Sequence, residues 1–356
     1  MQFPRYVLPA DASLARAPVT ILLYVGMFVA SVVITLAGCH LFTNGIEWLG
    51  KRLNISEGAV GSVFAAVGTT LPETSIPIIA IFFGASREQM EVGLGAILGA
   101  PFMLSTLVLP ILAVLLLLYA KVGKRTATFK LNYREVRVDI TFFLISYVLA
   151  LTCALVPSRL FHAAVALVLL GMYVYYMKLK FSEEDEESEE GGGELEPLLF
   201  ARRSPKPSYV LIGAQGIVGL LGLVGGAHLF VTAANSISAE MQVSPLILAL
   251  LIAPLATELP EMSNSFLWLY RKKDRLAVGN VTGAMVFQGT IPVSVGLFGT
   301  AWTLGPTALA TMVLAVVAMG LTLLQTIWSG HWRPWLLSGS ALLYLGYTLF
   351  LYTHGS

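Results

Sequence analysis

Long apolar runs recur along the chain, separated by short polar stretches. A helix needs about 20 mainly apolar residues to cross the hydrocarbon core of a bilayer, and ten segments meet that need. They are 19–50, 56–84, 91–119, 138–156, 159–180, 209–238, 243–270, 276–302, 305–327 and 333–352. The pattern predicts an all-α integral membrane protein with ten transmembrane helices. The first and sixth segments exceed a perpendicular crossing and are expected to tilt or to extend beyond the bilayer. Residues 1–18, with Pro4, Pro9, Pro18, Arg5 and Arg16, read as a short irregular extracytoplasmic tail. The run from Val19 is too long for a signal-peptide core.

Two apolar segments are interrupted in the same way. Gly68-Thr69-Thr70-Leu71-Pro72-Glu73 in the second segment is answered 188 positions later by Ala256-Thr257-Glu258-Leu259-Pro260-Glu261 in the seventh. The neighbourhoods align without a gap from Gly38/Gly226 through His40/His228 and Ser56/Ser244 to the two glutamates. At membrane depth a carboxylate or a proline-broken backbone is tolerated where it is buried in protein or lines a wet cavity, and it marks an ion or substrate path. Matching interruptions in the two halves of a chain point to a midplane transport site.

Composition agrees with the pattern: 56% of residues are hydrophobic, 12% are charged and mean hydropathy is +0.77. This lies outside soluble composition. A net charge of +1 gives no case for nucleic acid as a partner. Cys39 and Cys153 are far apart in apolar runs and read as small buried residues, not as a disulfide or zinc framework.

The basic residues report topology. With ten helices, eighteen of the 22 Lys and Arg, including Lys51, Arg125, Arg202 and Lys272, fall on one side; Arg5, Arg16, Arg87 and Arg159 fall on the other. The positive-inside rule then places both termini outside and residues 181–208 in the cytoplasm. That connection opens with Ser182-Glu183-Glu184-Asp185-Glu186-Glu187-Ser188-Glu189-Glu190 and three glycines, so it reads as an acidic, solvated linker. A calcium-sensing tract is the alternative. An odd number of helices on each side of it inverts one half relative to the other, giving a first five-helix repeat at 19–180 and a second at 209–356.

The duplicated core resembles that of the cation/calcium exchanger superfamily, whose sodium/calcium exchangers carry Gly-Thr-Ser-Leu-Pro-Glu on helices two and seven. The resemblance spans about 37–110 and 225–297. It implies an exchanger-like fold and a cation coordinated by Glu73 and Glu261, with the Thr69 and Thr257 oxygens facing it. A threonine bonded back to its own helix is the alternative for these two. Calcium takes six to eight oxygen ligands, which such a cage begins to supply.

Departures from the family pattern shape the rest. The family serine is Thr70 in the first copy and Glu258 in the second, which adds a third carboxylate. Glu258 and Glu261 share a face if the backbone is helical, and close like charges favour a proton on one of them. The Gly-Asn-x-x-Gly-Ser-Asn motif of helices three and eight survives as Asn280 and Gln288 in the second copy. In the first copy, Gly95 to Leu104, the polar positions are apolar. Several sodium-liganding positions are therefore missing, yet the Gly-Asn-x-x-Glu run of calcium/proton members is absent as well. Both Na+ and H+ stay open as coupling ions.

His40 and His228 occupy equivalent places on helices that slide in the family. They are candidates for gating, or for binding a softer metal beside Cys39; an interfacial histidine bonded to a carbonyl is the plainer reading. Thr74, Ser75, Ser263, Asn264 and Ser265 are candidate vestibule residues, and Trp302, Trp328, Trp332 and Trp335 read as interfacial anchors. The expected activity is secondary antiport of Ca2+ or another divalent cation against Na+ or H+, in a bacterial or archaeal plasma membrane. The expected partners are lipid and inorganic cations, with no cofactor. A channel using the same glutamates is the rival. No His-Glu-x-x-His or Ser/His/Asp set supports an enzyme. The oligomeric state is not written in the sequence.

Overall fold

Helices make up all the regular structure among the described residues, 11–53, 71–184 and 196–354 of a computed structural model. In chain order they are α1 (Asp11–Arg52), α2 (Leu71–Phe82), α3 (Arg87–Lys121), α4 (Tyr133–Leu155), α5 (Arg159–Glu184) and α6 (Tyr209–Met241). α7 (Pro245–Thr257), α8 (Leu259–Tyr270), α9 (Asp274–Gly299), α10 (Pro306–Ser329), α11 (Pro334–Gly339) and α12 (Ala341–His354) follow. Eight described spans are long and apolar enough to cross a bilayer, α11 and α12 forming one of them, and the pair α7 and α8, bent by 49° at its break, makes a ninth. The expected segment 56–84 is represented by α2; residues 54–70 lie outside the described residues, and Thr69 and Thr70 with them.

The chain departs from expectation in its N-terminal stretch and its linker. α1 is helical from Asp11, inside the stretch read as an irregular tail; alanine-rich sequence following an acidic first residue favours helix. The linker also divides. α5 continues to Glu184, residues 185–195 lie outside the described residues, and Glu196–Ala201 is ordered, ending in a short turn at Leu199–Ala201. The apolar residues after Pro197 account for this, since Leu198 is buried between Trp48 and Ile212.

Two apolar clusters organise the packing. The larger links α3, α4, α5, α9 and α10. The smaller sets α1 and α6 against α2, α3 and α7. α1 and α6 touch backbone to backbone through glycine: a Cβ on Gly38 would fall 2.6 Å from Leu223 N, and one on Gly45 3.3 Å from Gly216 N. Small residues permit this approach in membrane helices. α3 passes Pro101 and Pro110 through a π-helical turn at Leu104–Val108. Proline removes a helical donor, and a wider turn absorbs the misfit.

Buried ion pairs hold α9 in place. Asp139 of α4 pairs with Lys180 at 2.8 Å and accepts from Tyr176 (3.0 Å) and from Thr282 of α9 (2.6 Å). Asp274, at the start of α9, pairs with Arg125 at 2.5 Å and accepts the Lys130 N–H at 2.8 Å. A carboxylate in the first turn also suits the helix dipole. Trp302 and Trp332 are not interfacial anchors: both are buried, donating to Ala150 O and Thr326 Oγ1. Trp328 and Trp335 are exposed, as an anchor would be.

Candidate cation site

The break between α7 and α8 puts a carboxylate where a helix end tolerates it. Glu261 stands in the first turn of α8, where the N–H groups lack intrahelical partners and the dipole is positive, which favours a carboxylate. Glu73 lies in α2, next to Pro72. Pro260 sits at the start of α8, where its missing N–H is harmless to that helix, yet the same absence takes the helical donor from Ala256 O and ends α7. Glu258 occupies the joint. Its N–H donates to Pro254 O at 2.8 Å and its carbonyl accepts from Met262 at 2.9 Å. The C-terminal end of α7 adds partial negative charge at the break, a cation-favouring field.

The three glutamates converge. They are 7%, 0% and 5% exposed for Glu73, Glu258 and Glu261, and one oxygen from each lies within 4.8 Å of the others. Both oxygens of Glu73, Oε2 of Glu258, Oε2 of Glu261 and Oε1 of Gln288 are buried without a hydrogen-bond partner among the described residues. Buried polar atoms are almost always paired, and ionised carboxylates this close repel strongly where the dielectric is low. A cation among them resolves both problems. Three oxygens 4.8 Å apart or less surround a centre at most about 2.8 Å from each, so a slight inward movement of the side chains brings them to the calcium–oxygen range. All these donors are oxygens, a hard set that suits Ca2+, Mg2+ or Mn2+.

α9 supplies the amides. Gln288 donates from Nε2 to Glu258 Oε1 at 2.5 Å. Asn280 donates to the Glu261 carbonyl at 3.1 Å and to Ser265 Oγ at 3.0 Å, so it braces the turn that carries Glu261. The corresponding face of α3 works as packing. Gly95 and Gly99 abut the α7 backbone so closely that a Cβ on either would crowd Leu246 O or Leu250, and Leu104 is fully buried.

Other candidates fall elsewhere. Thr257 takes the back-bonded alternative, donating to Ala253 O at 3.2 Å. His40 and His228 are exposed and stand outside the carboxylate group, with His40 4.0 Å from Glu196. Ser263 and Asn264 are exposed, Ser75 bonds Pro72 O, and Ser265 is buried against Asn280. The brace of Asp139, Lys180, Tyr176 and Thr282 was not foreseen. Its one sequence signal is an acid two residues into the apolar run 138–156.

The family model described as sodium/calcium exchanger protein matches residues 23–181 and 213–353. The protein named Putative antiporter CaxA, of Alkalimonas amylolytica, is 26% identical over 258 residues, covering 72% of this chain and 74% of its own. Among solved structures, the H+/Ca2+ exchanger CAX superposes with a TM-score of 0.61 at 15% identity, covering 96% of this chain and 94% of that one. The sodium-calcium exchanger NCX_Mj superposes at 0.51 and 21% identity, covering 92% and 98%. These likenesses establish the all-helical exchanger fold.

Proposed function

This chain belongs to the sodium/calcium exchanger family, and on that basis we propose that it is a secondary antiporter, exchanging Ca2+ or another divalent cation for Na+ or H+ by alternating access. The observation that carries this reading is the buried cluster of Glu73, Glu258 and Glu261 with its unpaired oxygens. Glu73 comes from one half of the chain and the other two from the second half, across the linker that separates residues 19–180 from 209–356. An emptied site would leave carboxylates uncompensated in a low-dielectric path, which is costly. Return therefore requires a second cation, and exchange becomes obligatory. The names of CaxA, CAX and NCX_Mj agree with cation exchange.

The membrane assignment belongs to the same reading: a plasma membrane, with the termini outside and residues 181–208 inside, as the Lys and Arg distribution favours. Reconstitution tests the function. Purified protein in liposomes is given a Na+ gradient or an H+ gradient in turn, and uptake of Ca2+, Mg2+ and Mn2+ is followed. Saturable uptake that stops when the counter-ion is withheld supports antiport. Cation conductance with no counter-ion requirement replaces it with a channel.

A further inference from the structure

One face of α1 is turned toward the carboxylate group. Gly38 meets the α6 backbone in a glycine seam, and at 3.6 residues per turn Cys39 stands about 100° round from it, off the seam. Thr35 and Leu36, one turn earlier on the Cys39 face, line a closed crevice with Pro72 of α2 and Thr257 of α7. Those two residues directly precede Glu73 and Glu258 in the chain. Cys39 itself is 8% exposed, and the charges of Glu73 and, more weakly, of Glu261 act on its thiol. It stands outside the set of three whose oxygens lie within 4.8 Å of one another, so it borders that set without belonging to it.

A thiol alone assigns nothing; the carboxylate beside this one gives it a role. Glu73 is 7% exposed, and neither of its oxygens has a hydrogen-bond partner among the described residues. Buried polar atoms are almost always paired. One oxygen from each of the three glutamates serves a cation held jointly, which leaves Glu73 a second. Ca2+ and Mg2+ take oxygen ligands, whereas a thiolate selects softer metals. We propose that Cys39 and Glu73 form a second, softer subsite at the edge of the carboxylate group, which takes a thiophilic divalent cation such as Cd2+ or Zn2+. Binding there forms a metal–sulfur bond and releases the thiol proton to water. Because Glu73 serves both subsites, and two divalent cations so close repel each other, the soft cation and the hard one exclude each other. Cys39 thereby sets the preference between the two classes of ion. This inference rests on the exchange reading above, which gives Glu73 to the transported cation.

The test measures binding to purified full-length protein carrying Cys153→Ala, so that Cys39 is the sole thiol. Radiolabelled Cd2+ and Ca2+ are each titrated alone and against the other, and the ultraviolet charge-transfer absorption of a cadmium–thiolate bond is recorded alongside. Cd2+ is expected to displace Ca2+, with the absorption growing as it does so. Cys39→Ser and Cys39→Ala, made in that protein, are expected to abolish the absorption and to lower the ratio of Cd2+ to Ca2+ affinity at least about tenfold. A ratio within about twofold of the parent in both variants overturns the subsite, as does absence of the absorption from the parent. Loss of both affinities in step leaves the ratio unmoved and counts against it equally. Cd2+ and Ca2+ binding together without competition overturns the sharing of Glu73. Failure of the exchange reading shows elsewhere, as uptake into liposomes that needs no counter-ion, so the two failures are distinguishable.

Discussion

Gln288 donates to Glu258 across 2.5 Å, and this bond is the described side-chain link between α9 and the break that separates α7 from α8. It uses one oxygen of a wholly buried carboxylate that lies beside Glu73 and Glu261, and the other oxygen has no hydrogen-bond partner among the described residues. Gln288→Leu leaves Glu258 with both oxygens unpaired, a loss of about 1–3 kcal/mol for a buried charged acceptor. Cation affinity should fall by roughly one to two powers of ten, read by equilibrium binding of 45Ca2+ to the purified variant.

Removal of a whole charge is more severe. Glu73→Gln and Glu261→Gln each take away a carboxylate with orphaned oxygens and should weaken cation binding at least about a hundredfold, or about 2.7 kcal/mol, with no measurable exchange. Wild-type uptake by either variant in the liposome assay contradicts the site.

The pH response separates Glu258 from the other two. Protons compete with the cation for the same oxygens, so apparent affinity should rise with pH over the range in which the cluster loses protons. Glu258→Gln removes one acceptor and should keep residual exchange with a shallower slope of log affinity against pH. An unchanged slope in that variant would show that Glu258 takes no part in the competition.

Stability depends on the brace behind α9. Asp139 is buried against Lys180, which keeps about a quarter of its side chain exposed. Lys180→Met leaves Asp139 with two neutral donors and an uncompensated charge, a destabilisation of about 2–3 kcal/mol once partial solvent screening is allowed for. Asp139→Leu combined with Lys180→Met should recover most of it. Thermal unfolding of the detergent-solubilised variants checks the order: single variant lowest, double variant close to wild type.

The glycine seam makes a paired prediction. At Gly38 a methyl group would meet the α6 backbone at 2.6 Å, whereas at Gly26 nothing lies within 4 Å. Gly38→Ala must push the two helices apart and should lower both unfolding temperature and exchange rate. Gly26→Ala should do neither.

Some of this was legible in the sequence because lipid punishes exceptions. A carboxylate inside an apolar run is costly enough to mark Glu73, Glu258 and Glu261 as candidates, and the structure brings these three together. The Asp139–Lys180 pair was not legible, since its partners lie 41 residues apart and each reads alone as a helix-end charge. Trp302 was misread for a local reason. It follows α9 by three residues, yet the chain turns there with φ of 51° and returns the ring to the core. His40 and His228 are exposed for a reason of helical phase. At 3.6 residues per turn each sits about 200° from the glycine two positions before it, and Gly38 and Gly226 face the seam.

The unequal faces of α3 and α9 bear on how freely this sequence can drift. α3 contributes shape, through Gly95 and Gly99 against α7, and so its remaining positions can exchange one aliphatic residue for another wherever volume is kept. α9 contributes Asn280 and Gln288, whose replacement by any isosteric hydrocarbon removes a bond to the Glu261 carbonyl or the Glu258 carboxylate. The two copies of the motif are thus unlike in what they contribute: one supplies close packing and the other supplies amides.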